Sequence, residues 1–171
     1  MHLESQGGKV AVMSTGHVSG GLNLAYEYVI PSFNWMLARS DSINSRLQNL
    51  IGFAAALTIG APVFGKAVRE HLVVVDSPWF LSAALIFVAI VVLGIVAARV
   101  GTITVMDPGV LNSKTWLNLS DQDFKMQALE WAAKHFEKNS TVINRKADIL
   151  RIMSGMFILE TVLLGIWIAT A

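Results

Sequence analysis

The chain has 171 residues, of which 54 % are hydrophobic and only 15 % are charged, and its mean hydropathy is +0.55. Soluble domains carry about 25 % charged residues, so this composition argues against an ordinary soluble domain. The absence of cysteine excludes disulfides, thiolate metal sites and cysteine nucleophiles. A net charge of +1 argues against a large nucleic-acid-binding surface.

The N-terminal part of the chain predicts a flexible tail followed by an amphipathic helix. Residues 1–20 are rich in Gly and Ser, and we expect residues 21–171 to form a single helical membrane domain. The helix is expected to begin after Gly20 and Gly21, with Pro31 limiting or bending its first turns. Two sets of residues seven apart predict one packed face, namely Val29, Met36, Ile43 and Leu50, and between them Phe33, Ser40 and Leu47.

Three long apolar segments, residues 47–65, 78–98 and 152–171, predict three transmembrane helices. The first segment has no charged residue and would rise about 28 Å as a helix, close to the thickness of a bilayer core, about 30 Å. The second segment is the most hydrophobic, and the third carries a single charged residue, Glu160. The predicted fold class is therefore an all-α polytopic membrane protein.

The basic residues predict the orientation of these segments. Eleven of the 13 Lys and Arg residues precede the first segment or lie between the second and the third. By the positive-inside rule, the N-terminus and the long 99–151 segment are cytoplasmic, and the C-terminus lies outside. We expect a multi-pass protein of the cell inner membrane.

A second amphipathic helix is predicted over residues 120–151, with Ser120 as its N-cap and Asp121 and Asp123 in its first turn. A sevenfold repeat continues from it into the third segment, so we expect one nearly continuous helix, with its weakest point at Asn139–Thr141. The repeat fits either packing within one chain or a seam between several copies. Its two columns are Leu129, Phe136, Ile143, Leu150, Phe157 and Leu164, and Met126, Ala133, Ser140, Ala147, Ser154 and Thr161.

Glu160 is the sharpest candidate for a functional residue, because an ionisable group at membrane depth is costly and often functional. One interpretation makes it part of a pore or of an ion or proton path. The other makes it a structural group that bonds a neighbouring helix, with Thr58, Ser82 or Thr161 as the partner. A shallower position in the membrane is a further alternative.

Two other sets of residues suggest contacts. Small residues four apart allow helices to approach closely, within one chain or between copies; they are Gly52, Ala56 and Gly60, and Thr161, Gly165 and Ala169. A basic cluster of Arg145, Lys146 and Arg151 fits either anionic lipid head groups or the positive-inside bias alone. An anionic nucleotide is a third interpretation, although no pocket signature accompanies it.

Catalysis has no support in the sequence. The four histidines are scattered, and no spacing typical of a nucleophile, a metal site or a phosphate loop occurs. We therefore predict no enzyme activity, no catalytic residue, no metal and no cofactor.

The layout resembles that of small bacterial membrane effectors, the SLATT and Pycsar-type transmembrane families. The similarity covers residues 26–171 and is carried by SDSINSRLQNLIGFAAALTIGAPVF, PWFLSAALIFVAIVVLGIVAAR and HFEKNSTVINRKADILRIMSGMFILE. It implies helices that oligomerise and breach the inner membrane after a cyclic-nucleotide signal. The chain departs from this pattern at Glu160, and it has no recognisable nucleotide-sensing domain, so sensing would fall to a cytoplasmic signalling partner or to the cytoplasmic helices.

Two functions are expected from these features. The first is a membrane effector that self-associates and perturbs or permeabilises the bacterial inner membrane, in nucleotide-signalled antiphage defence. The alternative is an accessory structural subunit of a larger membrane complex. The expected partners are the lipid bilayer and either further copies of the chain or other membrane subunits, with no nucleic acid.

Overall fold

The computed structural model describes residues 16–68, 77–107, 116 and 118–170, and its regular structure there is helical. Helix α1 spans Gly16–Val68, α2 spans Pro78–Arg99 and α3 spans Asp121–Thr170. Each contains a stretch that is long and apolar enough to cross a membrane. The prediction of an all-α chain with three helices of this kind is confirmed.

The helix ends follow from local capping chemistry. Helix α2 begins with proline, which has no backbone N–H to leave unsatisfied in a first turn. The predicted N-cap of α3 is confirmed, because Ser120 Oγ accepts the backbone N–H of Asp123 at 3.2 Å. Helix α1 begins at Gly16, before the expected glycine pair, and Pro31 lies within it. Asn139–Thr141, the predicted weak point, lies within α3.

The chain divides into two compact units, which we call the terminal unit and the bundle unit. The terminal unit comprises Met1–Ser32 and Met106–Ala133, and the bundle unit comprises Phe33–Val105 and Lys134–Ala171. Most of the predicted tail, residues 1–15, lies outside the described residues, so the tail and the single membrane domain stay predictions.

In the terminal unit, a lysine links the two chain segments. Lys125 Nζ donates to Asn23 Oδ1 at 2.9 Å and also contacts Asp121 Oδ2 at 2.6 Å. The rings of Trp116 and Phe124 meet edge to face, with centroids 5.4 Å apart.

In the bundle unit, α1 and α3 run parallel and α2 runs antiparallel to both. Asn44 contacts Lys146, and fourteen residues further along both helices Thr58 contacts Glu160. At one level of α2, Gly94 faces Ile51 and Met153. Near the start of α2, Phe80 packs on Trp167 with ring centroids 4.9 Å apart. An apolar cluster surrounds that contact and contains Ala61, Ala83, Leu164 and Trp167.

The buried residues of the bundle unit recur every seven positions in all three helices, as expected for helices packed along a common axis. The predicted buried face of α1 is confirmed at Phe33, Met36, Ser40, Ile43 and Leu47. On α3 the column that is buried at every position differs from both columns that the sevenfold repeat predicted. The buried columns are Phe33, Ser40, Leu47, Ala54 and Ala61 on α1, Ala83, Ile90 and Ala97 on α2, and Asn139, Lys146, Met153, Glu160 and Trp167 on α3.

Candidate functional site

Glu160 is completely buried between helices of the bundle unit. The hydroxyl group of Thr58 donates to its Oε1 atom. Its other oxygen, Oε2, is also buried and has no hydrogen-bond partner among the described residues. Of the three donors considered from the sequence, Thr58 is the one that contacts it, whereas Thr161 donates to the carbonyl oxygen of Phe157 in its own helix. The contact joins the candidate membrane segments of α1 and α3.

Lys146 lies one sevenfold repeat, or two helical turns, before Met153 and is also buried, with only 7 % of its surface exposed. Its ammonium group donates to Asn44 Oδ1 at 3.2 Å. A lysine is rarely buried without a polar partner, and the side-chain amide oxygen of Asn44 on α1 is that partner. Lys146 therefore links α1 to α3 in the same way as Glu160, at a position outside the apolar segments.

Asn139 is the third polar residue in the buried column of α3, after Glu160 and Lys146, and it is completely buried. Its side-chain amide bonds both backbone groups of Thr104: Oδ1 accepts the N–H at 3.0 Å, and Nδ2 donates to the carbonyl oxygen at 2.9 Å. This pair of bonds fixes the non-helical segment that follows α2. The turn into that segment needs a glycine, because Gly101 has a φ of 133°, which side-chain-bearing residues rarely adopt.

Four residues of the two predicted small-residue faces, Ala56, Gly60, Thr161 and Gly165, line one groove of about 270 Å³ on the surface of the bundle unit. Gly52, Ala56 and Gly165 are exposed, and a Cβ atom added at Gly52 or at Gly165 would meet nothing within 4 Å. The faces are therefore open in this chain. We call this site the small-residue groove; it is lined by Ala56, Leu57, Gly60, Ala61 and Phe64 of α1 and by Thr161, Leu164, Gly165 and Ile168 of α3. Ala169 is exposed beside it on α3.

The predicted basic cluster is divided by the structure. Arg145 and Arg151 are exposed, and Arg151 contacts Asp148 at 3.5 Å. Lys146 points into the bundle unit, as its bond to Asn44 shows, so it is not part of a basic surface with the other two. A lipid contact stays a prediction for Arg145 and Arg151 only.

The polar column of α3 was missed from the sequence, apart from Glu160. The sevenfold repeat of apolar residues selects a neighbouring column instead, although Phe136 in that column is about half exposed. The available signal was the spacing of the polar residues themselves, since Asn139, Lys146 and Glu160 are separated by multiples of seven.

Within the described residues, no group of three or more His, Asp or Glu side chains is placed to hold a metal ion. Comparison of the chain with protein-family models, curated proteins and solved structures finds no match.

Proposed function

We propose that the chain is a multi-pass membrane effector that self-associates and perturbs or permeabilises the bacterial inner membrane. The small-residue groove carries this proposal, because it is an apolar helix-binding surface that the chain itself leaves open. Membrane helices associate by close van der Waals packing over such small residues.

The membrane location is supported by the exposed surface of the apolar helices. Phe53, Ile59 and Phe64 on α1 are all more than 60 % exposed, as are Leu85 on α2 and Ile158 on α3. Such a surface is unfavourable in water and favourable against lipid tails. In our proposal, residues 47–65, 78–98 and 152–171 cross the bilayer, and α1 and α3 continue from it into the cytoplasm as amphipathic helices.

A ridge on α2 of a second copy is the proposed occupant of the groove. Leu81, Leu85, Val88 and Val92 are spaced four, three and four apart, so they form one stripe, and each is more than half exposed. Ridge and groove lie on different helices, so their contact joins unlike surfaces and can repeat from copy to copy. Contacts of this kind close into a ring when the rotation between copies permits it.

Glu160 takes the role of an internal link in this proposal. It lies between α1 and α3 and not on the exposed ridge, so it reaches a water-filled path only if the two helices separate and its bond from Thr58 breaks. The parallel helices α1 and α3 would transmit that separation from the cytoplasmic side. The resemblance to the SLATT and Pycsar-type families implies a cyclic-nucleotide trigger in antiphage defence, which a cytoplasmic partner or the cytoplasmic helices would sense.

The proposal is tested by inducing expression in bacteria while a membrane-potential dye is recorded, with the trigger or its partner present. The expected result is depolarisation by the native chain and its loss in Gly165→Leu, which fills the groove. Gly155→Leu is the matched control, because Gly155 is exposed on the same helix outside the groove. Unchanged potential with the native chain inserted would contradict the proposal.

The second candidate is an accessory structural subunit of a larger membrane complex. The same open groove favours it, because a helix of a different chain could occupy that surface. Affinity purification in mild detergent separates the two functions: a stoichiometric set of foreign subunits supports the accessory role, and copies of this chain alone support the effector.

A further inference from the structure

A second groove of the bundle unit lies between the parallel helices α1 and α3, at the end of two apolar segments. It has a volume of about 470 Å³. Arg46 of its lining directly precedes residue 47, where the first apolar segment starts, and Leu150 lies two residues before the third. When the apolar segments lie in the bilayer, this end of the groove is level with the lipid head groups.

One face of this groove is basic and aromatic. Trp35, Arg39, Ser42 and Arg46 are spaced four, three and four apart on α1, so they share one helix face. The guanidinium carbon of Arg39 lies 5.6 Å from the ring centroid of Trp35, in the geometry of a cation–π contact. Trp35 is 66 % exposed, so this side of the groove is open.

No carboxylate among the described residues lines this groove. The nearest acids in sequence, Asp41 and Asp148, are exposed outside it, and Asp148 contacts Arg151. Neither Arg39 nor Arg46 has an ion pair within the described part of the chain. The Cα atoms of Arg39 and Arg46 are about 10 Å apart along the helix axis, by their spacing of seven residues. The site thus presents two uncompensated positive charges.

The floor of the groove is apolar and comes from α3, where Ala147 and Leu150 face the basic stripe. The combination of a basic rim with an apolar floor suits an amphiphile that has an anionic head group. A free phosphate ion would gain nothing from the apolar floor. Basic pockets between membrane helices on the cytoplasmic side are known binding sites for anionic lipid head groups.

We propose that this groove binds an anionic phospholipid of the cytoplasmic leaflet. Its phosphate lies between Arg39 and Arg46, and its glycerol and first acyl carbons lie against Leu150. This site is distinct from the predicted cluster at Arg145 and Arg151. The proposal rests on the membrane location proposed above, but not on self-association.

The test is a titration of the full-length chain in mild detergent with phosphatidylglycerol, followed by native mass spectrometry. Phosphatidylcholine is the neutral control lipid, and glycerol 3-phosphate is the soluble competitor. We expect one phosphatidylglycerol to remain bound in preference to phosphatidylcholine. The double substitution Arg39→Gln and Arg46→Gln should weaken its binding about thirtyfold, since each basic residue contributes about fivefold.

Two further variants distinguish lipid binding in this groove from attraction to the general surface charge of the protein. Lys134→Gln with Lys138→Gln removes the same net charge from exposed positions of α3 outside the groove, and phosphatidylglycerol binding should change by less than about threefold. Ser42→Phe keeps both arginines but fills the groove, and it should abolish the preference for phosphatidylglycerol. Helix content by circular dichroism confirms that each variant is folded.

Three results would overturn this proposal. Equal loss of binding in both double variants would indicate binding to general surface charge. Full binding in Ser42→Phe would place the lipid elsewhere, and displacement of lipid by glycerol 3-phosphate would indicate a soluble anion site. A chain that fractionates without the membrane contradicts the proposed location instead, so the two failures are distinguishable.

Discussion

Thr58 and Glu160 form the polar contact between α1 and α3 within the candidate membrane segments. In apolar surroundings a hydrogen bond between helices contributes about 0.6 kcal/mol on average and up to about 1.7 kcal/mol, because the unfolded state in the membrane also finds partners. This contact therefore specifies the register of α1 against α3 more than it stabilises the bundle unit.

A double-mutant cycle of Thr58→Val and Glu160→Leu measures this contact, because leucine has no hydrogen-bond acceptor. We expect a coupling free energy of unfolding within that range, from detergent unfolding curves followed by circular dichroism. Thr161→Val with Glu160→Leu is the matched control and should show no coupling, because Thr161 bonds its own helix. Coupling in the control alone would contradict the observed pairing.

Asn139 is expected to be the most sensitive polar residue of the bundle unit. Asn139→Ala leaves the N–H and C=O groups of Thr104 without their partner, and each unsatisfied buried group costs about 1–3 kcal/mol. Unfolding curves should show a loss of at least about 1 kcal/mol. Asn144→Ala changes an exposed asparagine five residues further along α3, and it should change stability by less than about 0.5 kcal/mol. Equal effects of the two substitutions would refute this role.

Single residues were predictable from the sequence to different degrees. Glu160 stands out in an apolar segment, and the rule that such a group faces other helices predicted its burial and Thr58 as a candidate partner. Lys146 and Asn139 do not stand out, because polar residues in a polar region normally face water. Only their partners in distant parts of the chain, Asn44 and Thr104, explain their burial.

At the scale of elements, Gly94 sets the approach of α2 to the other helices. A Cβ atom at this position would overlap Ile51 Cδ1 and would lie 3.7 Å from Met153 Cε. Gly94→Ala should therefore destabilise the bundle unit modestly, and Gly94→Val by about 1–3 kcal/mol through overpacking.

The compensating change is Ile51→Val, which removes the overlapping atom. We expect the double variant Gly94→Ala, Ile51→Val to recover part of the stability lost in Gly94→Ala, as measured by unfolding in detergent. Gly155→Ala is the control, because its added Cβ would meet nothing within 4 Å. Additive losses without recovery would show that the helices do not approach at Gly94.

The helices were predictable as elements, and their packing was predictable only in part. Apolar length identifies the candidate membrane segments, and Ser120 with its following acids identifies the start of α3. On α3, however, the sevenfold repeat of apolar residues selects a column beside the innermost one, so periodicity alone does not decide which column is innermost. The packed α1 and α2 decide it, and they select the column that contains Asn139, Lys146 and Glu160.

At the scale of the whole molecule, the proposed orientation depends on the distribution of Lys and Arg. The chain has no cysteine, so single cysteines can report it directly. In intact spheroplasts we expect an impermeant maleimide to label Thr170→Cys but not Asn118→Cys, and to label both after lysis. Both positions are exposed in the structure. The reverse pattern would refute the cytoplasmic N-terminus.

Self-association through the small-residue groove is the central claim, and the mass of the purified full-length chain in mild detergent tests it most directly. Light scattering should give a multiple of the 18.6 kDa chain mass for the native protein and for Gly155→Leu. It should give a single chain for Gly165→Leu, with unchanged helix content. A native chain that stays monomeric at every concentration, or a Gly165→Leu variant with the native mass, would contradict the account.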